Sequence, residues 1–363
     1  MRANYALEHG TEALSMCVRK AVNEMLGSLA EDAGIRREDV FQVCVVGNTC
    51  MHHLFLGISP ASLVHAPYTP AVSERLVLNA GDYGLAVQER AELIMLPDIA
   101  GYVGADTCGC LLAIRQDQQE EISLMIDIGT NGEMVLGNRE RMVTCSTAAG
   151  PAFEGAKIEC GMRGAAGAVD HVKYEDGKWN YTTVGNKPAV GLCGSGLIDL
   201  VAGLLDAGML DENGVLRSGQ EKQGVFILVP PERGGNERGV YLTQKDLGEV
   251  QLAKAAIAAG IQMLMERLGI TEDDICSVYI AGAFGNYMDP VSAGKIGLLP
   301  ATLVKKVKPV GNAAGEGAKI ALVNEKEMLE MDELVRKIEF VELAASADFQ
   351  DHFIDELGFE TGE

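Results

Sequence analysis

Leu124-Met125-Ile126-Asp127-Ile128-Gly129-Thr130-Asn131-Gly132-Glu133-Met134-Val135-Leu136-Gly137 is an apolar run that stops at an aspartate, turns through Gly and Thr, and becomes apolar again. This is the pattern of a phosphate-binding β-hairpin. A buried strand delivers Asp127 to its end, and glycines let the backbone approach an anion. The amides of residues 129–132 are then placed to point at phosphate oxygens. A carboxylate facing a phosphate needs a divalent cation between them, and Mg²⁺ held through its water shell suits the chemistry. Together these features point to a nucleoside triphosphate. A plain Gly-Thr-Asn-Gly turn with Asp127 facing water is the alternative for the stretch taken alone. Two more glycine-rich turns favour the first reading. Cys276-Ser-Val-Tyr-Ile-Ala281 is strand-like and ends in Gly282-Ala283-Phe284-Gly285-Asn286, and Pro309-Val310 precedes residues 311–317, which open an Ala-rich helix.

The 363 residues, 47% of them hydrophobic, are enough for a substantial core and about two domains. A formal charge of −22 argues against a nucleic-acid surface or an anionic membrane as partner. Lys305-Lys306-Val307-Lys308 is the densest basic cluster and is expected to be a solvated helix end or loop. Nine cysteines without a Cys-x-x-Cys pair, and no signal peptide, fit a reducing cytoplasm. Cys108 and Cys110 lie in a helical-looking segment and are expected to be small buried thiols. No apolar run is long enough to span a bilayer.

Helix, strand and glycine turn alternate along the chain, as in an α/β protein. Helices are expected at 12–33, 101–115, 197–207, 245–268 and 346–357, with strands at 40–46, 141–145, 171–174, 179–184 and 337–343. Asp176-Gly177 signals a hairpin. Pro151 is expected at the first turn of a helix that carries Glu154. Residues 59–98, with four prolines, are expected to be a loose excursion, and residues 211–240 a polar surface insertion. His52 and His53 follow a Gly-Asn-Thr turn, but neighbours point to different helix faces, so a shared metal is not expected.

Asp127-Ile-Gly-Thr-Asn-Gly-Glu133 resembles the second phosphate motif of the actin-like ATPase superfamily of sugar kinases, heat-shock chaperones and actin, and residues 281–285 resemble its adenosine motif. Residues 101–115 and 311–324 resemble its two connecting helices. More specifically, Val46-Gly-Asn-Thr-Cys-Met-His-His-Leu54, Gly104-Ala-Asp-Thr107, the 146–156 stretch, Gly161-Met-Arg163 and Cys193-Gly-Ser-Gly196 resemble the reductive activators of corrinoid proteins over nearly the whole chain. The resemblance implies a two-lobed α/β fold with mixed five-stranded sheets flanked by helices. It divides the chain into a partial first lobe at 1–121 and a second lobe at 122–363 that carries the phosphate and adenosine motifs.

The implied activity is ATP-driven reduction of an inactive Co(II) corrinoid (cobalamin-binding) protein of a methyltransferase system to Co(I). The family's first phosphate hairpin and its [2Fe–2S] domain are expected upstream of Arg2. The expectation is therefore a truncated first lobe, hydrolysis that is weak or absent in this chain alone, and no cluster held here. In this frame Asp127 orients the Mg²⁺ shell, and Gly129, Thr130, Asn131 and Gly132 supply phosphate donors. Glu133 either positions water or is structural. Gly282, Ala283 and Gly285 pass beneath the adenosine, Gly315 joins the nucleotide set, and Glu154 either contacts ribose or adenine or is structural. The apolar face of a truncated lobe is where a second copy would form a homodimer. The competing classes are a metabolite kinase of the same superfamily and a non-catalytic docking module.

Overall fold

A computed structural model of the chain describes residues 2–217, 224–282, 286–344 and 346–359. Helix α1 (Arg2–His9) leads into α2 (Glu12–Ala33), which stops where Gly34 takes φ 67°, a left-handed geometry that glycine adopts without strain. Strand β1 (Gln42–Val45) runs into α3 (Thr49–Leu56), capped by the Asn48 side chain accepting from the Met51 N–H. Then come β2 (Leu76–Asn79), β3 (Glu92–Met95) and α4 (Ala105–Ile114). The central motif forms β4 (Ile122–Ile128) and β5 (Gly132–Gly137), followed by β6 (Met142–Thr147).

Beyond it lie β7 (Ala168–Glu175), β8 (Lys178–Thr183), β9 (Gly191–Leu192) and α5 (Gly194–Asp206). The chain continues through β10 (Val225–Val229), β11 (Val240–Thr243), α6 (Gln244–Leu268), β12 (Ile275–Ala281) and α7 (Pro290–Lys295). It ends with β13 (Val307–Gly311), α8 (Ala313–Val323), α9 (Glu325–Leu334), β14 (Glu339–Phe340) and α10 (Ala347–Asp355).

These elements form two compact units. The first comprises residues 1–120, 138–144 and 312–340, and the second residues 121–137, 145–311 and 341–363. In the first unit β3 lies between β1, to which it is parallel, and β2, to which it is antiparallel. Phe55, Leu93 and Met95 are buried beneath, with Val18 and Val22 of α2 packed against them. The 59–98 segment is thus not the loose excursion its prolines suggest. Pro60, Pro67 and Pro70 precede β2 and Pro97 follows β3, so they bracket the strands rather than interrupt their ladders. Helices α4 and α8 meet backbone to backbone: a Cβ on Gly109 would stand 2.6 Å from the Ala314 carbonyl oxygen, and one on Gly317 would overlap the Gly109 carbonyl. The small-residue composition of both helices follows from that contact.

In the second unit β12 runs parallel to both β4 and β13, while β5 pairs antiparallel with β4. Leu124, Met125 and Ile126 are wholly buried, as a strand covered on both faces requires. β7 and β8 form the expected hairpin, with Asp176 at φ 52° and Gly177 at φ 74°, both left-handed as a type I′ turn demands.

Sheet size meets expectation only in part: β1-β3-β2 has three strands rather than five, while β13-β12-β4-β5 continues into β6. Two further expectations are corrected. Residues 224–240 are no surface insertion, since β10 and β11 pair across a bulge and bury Phe226, Val229, Val240 and Leu242, Phe226 against Trp179, while residues 218–223 of the expected insertion lie outside the described residues. The glycine-rich loop between them masked the short alternating runs. Residues 151–159 form turns rather than a helix; Pro151 and Ala152 carbonyls accept from residues 154–156, and the left-handed Gly155 ends the turn.

Candidate functional site

The hairpin, the end of β12 and the end of β13 meet in the second unit. Asp127 stands in register with Ala281, and Ala281 with Gly311, at the carboxyl ends of three parallel strands. The Gly282 N–H donates to the Gly311 carbonyl at 2.9 Å, closing the row beyond the last ladder residues. In open parallel sheets this edge is where ligands bind. Gly282 adopts φ 81°, and a Cβ there would lie 2.6 Å from Asp127 Oδ1. Glycine at 282 is what leaves the Asp127 carboxylate its place.

Asp127 is also directly opposite Glu133 across the hairpin. Cross-strand partners project to one face with Cβ atoms about 5 Å apart, and like charges so placed repel. A divalent cation held near Asp127 would relieve that repulsion, so the donor set fits Mg²⁺. The two carboxylates differ in setting: Glu133 is only 8% exposed and its Oε1 accepts from the Ser146 hydroxyl at 3.3 Å, whereas Asp127 is half-buried at the strand end. Glu133 is thus the more enclosed of the two carboxylates and Asp127 the more accessible.

The turn itself is more specialised than its glycines suggest. The Gly129 N–H is spent on the Asn131 carbonyl at 2.9 Å, which removes it from the phosphate donors. Gly132 is a packing residue, since a Cβ there would come within 2.9 Å of Thr147 Oγ1 and 3.2 Å of Ile257. Thr130 and Asn131 are left at the tip. The Thr130 hydroxyl donates to Glu154 Oε2 at 3.0 Å, so Glu154 sits at the phosphate hairpin. The turn carrying Glu154 is anchored by buried Ala152 and Phe153, and a Cβ on Gly155 would press on Met162. Met162 in turn donates to the Leu192 carbonyl. Arg163, next in the chain, is exposed and has no ionic or hydrogen-bond partner for its side chain among the described residues.

Gly315 belongs to the first unit, where its N–H donates to the Asn312 side chain as a helix cap at 3.0 Å. Its amide is therefore not a free nucleotide donor. Ala283 and Gly285 lie outside the described residues. At the start of α5, a Cβ on Gly196 would strike the Val169 carbonyl and Ser195 donates to the Asp170 carbonyl, so this glycine-serine turn serves packing on β7.

The remaining sequence candidates are structural. His52 Nδ1 pairs with Asp98 Oδ2 at 3.2 Å, and His53 binds the Thr49 carbonyl and the Ala71 N–H, so the two rings turn to different partners. Burial pushes the Asp98 carboxyl above the usual aspartate range despite His52. Cys108 and Cys110 are buried in α4, and burial raises the Cys108 thiol. Among the described residues no group of three or more His, Cys, Asp or Glu side chains is placed to hold a metal ion. No described helix is long and apolar enough to cross a membrane.

Comparison with known proteins gives the family and the fold. Residues 121–363 match the family described as the C-terminal domain of RACo, the ASKHA domain, and residues 1–119 match the RACo middle region. The corrinoid activation enzyme RamQ of Eubacterium limosum is 35% identical over 97% of this chain and 62% of its own length. The [Co(II) methylated amine-specific corrinoid protein] reductase of Methanosarcina barkeri is 29% identical over 77% of this chain and 54% of its own. A solved structure of a reductive activator for corrinoid, iron-sulfur protein is 37% identical, with a TM-score of 0.90 over 99% of this chain and 59% of that one. The chain thus spans somewhat over half the length of the relatives it matches. It belongs to the RACo family, comprising the middle region and the C-terminal domain with its actin-like ATPase fold.

Proposed function

We propose that this chain is the nucleotide-binding part of an activator that returns an inactive Co(II) corrinoid protein of a methyltransferase system to Co(I), using ATP and Mg²⁺. What carries the reading is the meeting of Asp127, Gly282 and Gly311 at one strand edge, in a domain whose family is an ATPase fold. When bound, Mg²⁺ supplies charge neutralisation between carboxylate and phosphates. Asp127 holds its water shell, Gly282 keeps that carboxylate in position, and the Thr130–Asn131 tip meets the phosphates while Glu154 fixes the Thr130 rotamer. Reduction of Co(II) to Co(I) is uphill, and it draws its one electron from a donor outside the described residues. Nucleotide binding biases the chain toward the state that holds the Co(II) form of the partner, a shift only as large as its differential affinity.

The test is titration of the chain with a corrinoid protein held as Co(II) or in its methylated form, with and without Mg·ATP. Tighter association with Co(II) in the presence of nucleotide is expected. Association indifferent to nucleotide would overturn the proposal, and phosphoryl transfer to an added small molecule would make the chain a kinase.

A further inference from the structure

The first unit carries an open groove along α2, beside the Tyr83-Gly84 turn, that nucleotide chemistry leaves unused. Its volume is about 470 Å³, and its charged lining is Arg19, Lys20, Arg37 and a single acid, Glu24. Three cations against one carboxylate stand out in a chain of formal charge −22.

Two of these cations are held in place. Arg19 donates through Nε and Nη2 to the Phe55 carbonyl at 2.9 and 2.6 Å, and its guanidinium lies over the Tyr83 ring, 5.2 Å from the centroid. The rest of its donor fork is left for another acceptor. Arg37 lies against Gly27, where a Cβ would overlap the guanidinium. It is half-buried and has no ionic or hydrogen-bond partner for its side chain among the described residues. Of the acids that follow it in sequence, Glu38 is exposed and makes no bond to it, and Asp39 accepts from the Arg36 N–H and guanidinium at 2.9–3.2 Å. Glu24 faces Lys20 at 3.9 Å. A partly desolvated guanidinium with nothing to bind has lost hydration without compensation, which an incoming anion would restore.

Spacing identifies the kind of anion. Gly27 lies two turns beyond Arg19, a rise of about 12 Å along the helix. One phosphate or one carboxylate does not reach across that span. Residues i and i+4 of an extended peptide do, being about 13 Å apart and on one face of the strand. Guanidinium forks bind carboxylates in bidentate fashion, and Tyr83 and Met16 give the intervening residues apolar contact. We infer that this groove docks an acidic, extended segment of a partner polypeptide, with carboxylates four residues apart on Arg19 and Arg37.

Fluorescence anisotropy tests this with a labelled Gly/Ser nonapeptide carrying two glutamates at i and i+4. Binding at low salt is expected, with about tenfold loss in Arg37→Gln and in a peptide whose glutamates are adjacent. Because Arg37 has no partner, the variant should melt with the wild type, which separates lost binding from lost folding. Equal binding by variant and wild type, indifference to glutamate spacing, or no binding up to about 1 mM peptide would overturn the inference. Inorganic phosphate competing as well as the peptide would also overturn it, by making this a small-anion site.

Discussion

Gly282→Ala should damage nucleotide binding in a way that can be separated from its effect on folding. The added methyl would sit 2.6 Å from Asp127 Oδ1, while ordinary contact begins near 3.4 Å, so the carboxylate must retreat by about 0.8 Å. Alanine at φ 81° also carries backbone strain of about 1–2 kcal/mol. Gly269→Ala is the matched control, since Gly269 has φ 69° but nothing within 4 Å of a Cβ. Both variants should lose a few degrees of melting temperature, at about 2–4 °C per kcal/mol for a unit of this size. Only Gly282→Ala should lose Mg·ATP affinity, by about ten- to a hundredfold, the scale associated with misplacing a charged group by nearly 1 Å. Calorimetric titration of the three proteins gives the comparison. If Gly282→Ala bound Mg·ATP within about twofold of Gly269→Ala, the placement of Asp127 by that glycine would not be what the site depends on.

Gly317→Ala should destabilise the first unit by about 3 kcal/mol or more, because backbone on both sides of the α4–α8 contact cannot yield; an unchanged circular-dichroism melt would contradict this. Asp98 has a folded-state pKa raised by burial, so its contribution to stability is present below the ordinary aspartate range, near 4, and is lost as pH rises through the raised value. Denaturation of wild type and Asp98→Asn should therefore show wild type losing ground to the variant as pH rises from about 4; a pH-independent difference would refute the assignment. Arg163→Gln should weaken Mg·ATP binding several-fold without changing the melt, since its side chain is exposed, has no partner among the described residues, and follows Met162, which packs on the Gly155 turn. Unchanged affinity would leave Arg163 without a role at the phosphates.

The central hairpin was legible because its signals are local: an apolar run, a terminal Asp and a glycine turn carry the whole instruction. The ends of α2 and α6 were legible for the same reason, each being stopped by a left-handed glycine, Gly34 and Gly269. What stayed hidden depends on partners far apart in sequence. β2 and β3 are four residues long each and are held by pairing with each other and, for β3, with β1. β10 and β11 are fixed by burial of Phe226 against Trp179. Within the site, glycines that looked alike proved to serve different ends. Gly282 makes room for Asp127, Gly132 for Thr147 and Ile257, and the Gly129 amide closes its own turn. Composition cannot distinguish these, because the deciding atom in each case belongs to another element or to the turn's own carbonyl. The Thr130–Glu154 bond likewise spans 24 positions, and no motif spacing announces it.

The account depends most on Asp127 acting through a divalent cation. Calorimetric titration of wild type and Asp127→Ala with ATP, once in excess Mg²⁺ and once in chelator, measures this directly. Wild type should bind at least about tenfold more tightly with Mg²⁺, and the variant should show no such difference. An equal Mg²⁺ dependence in both proteins would contradict the account.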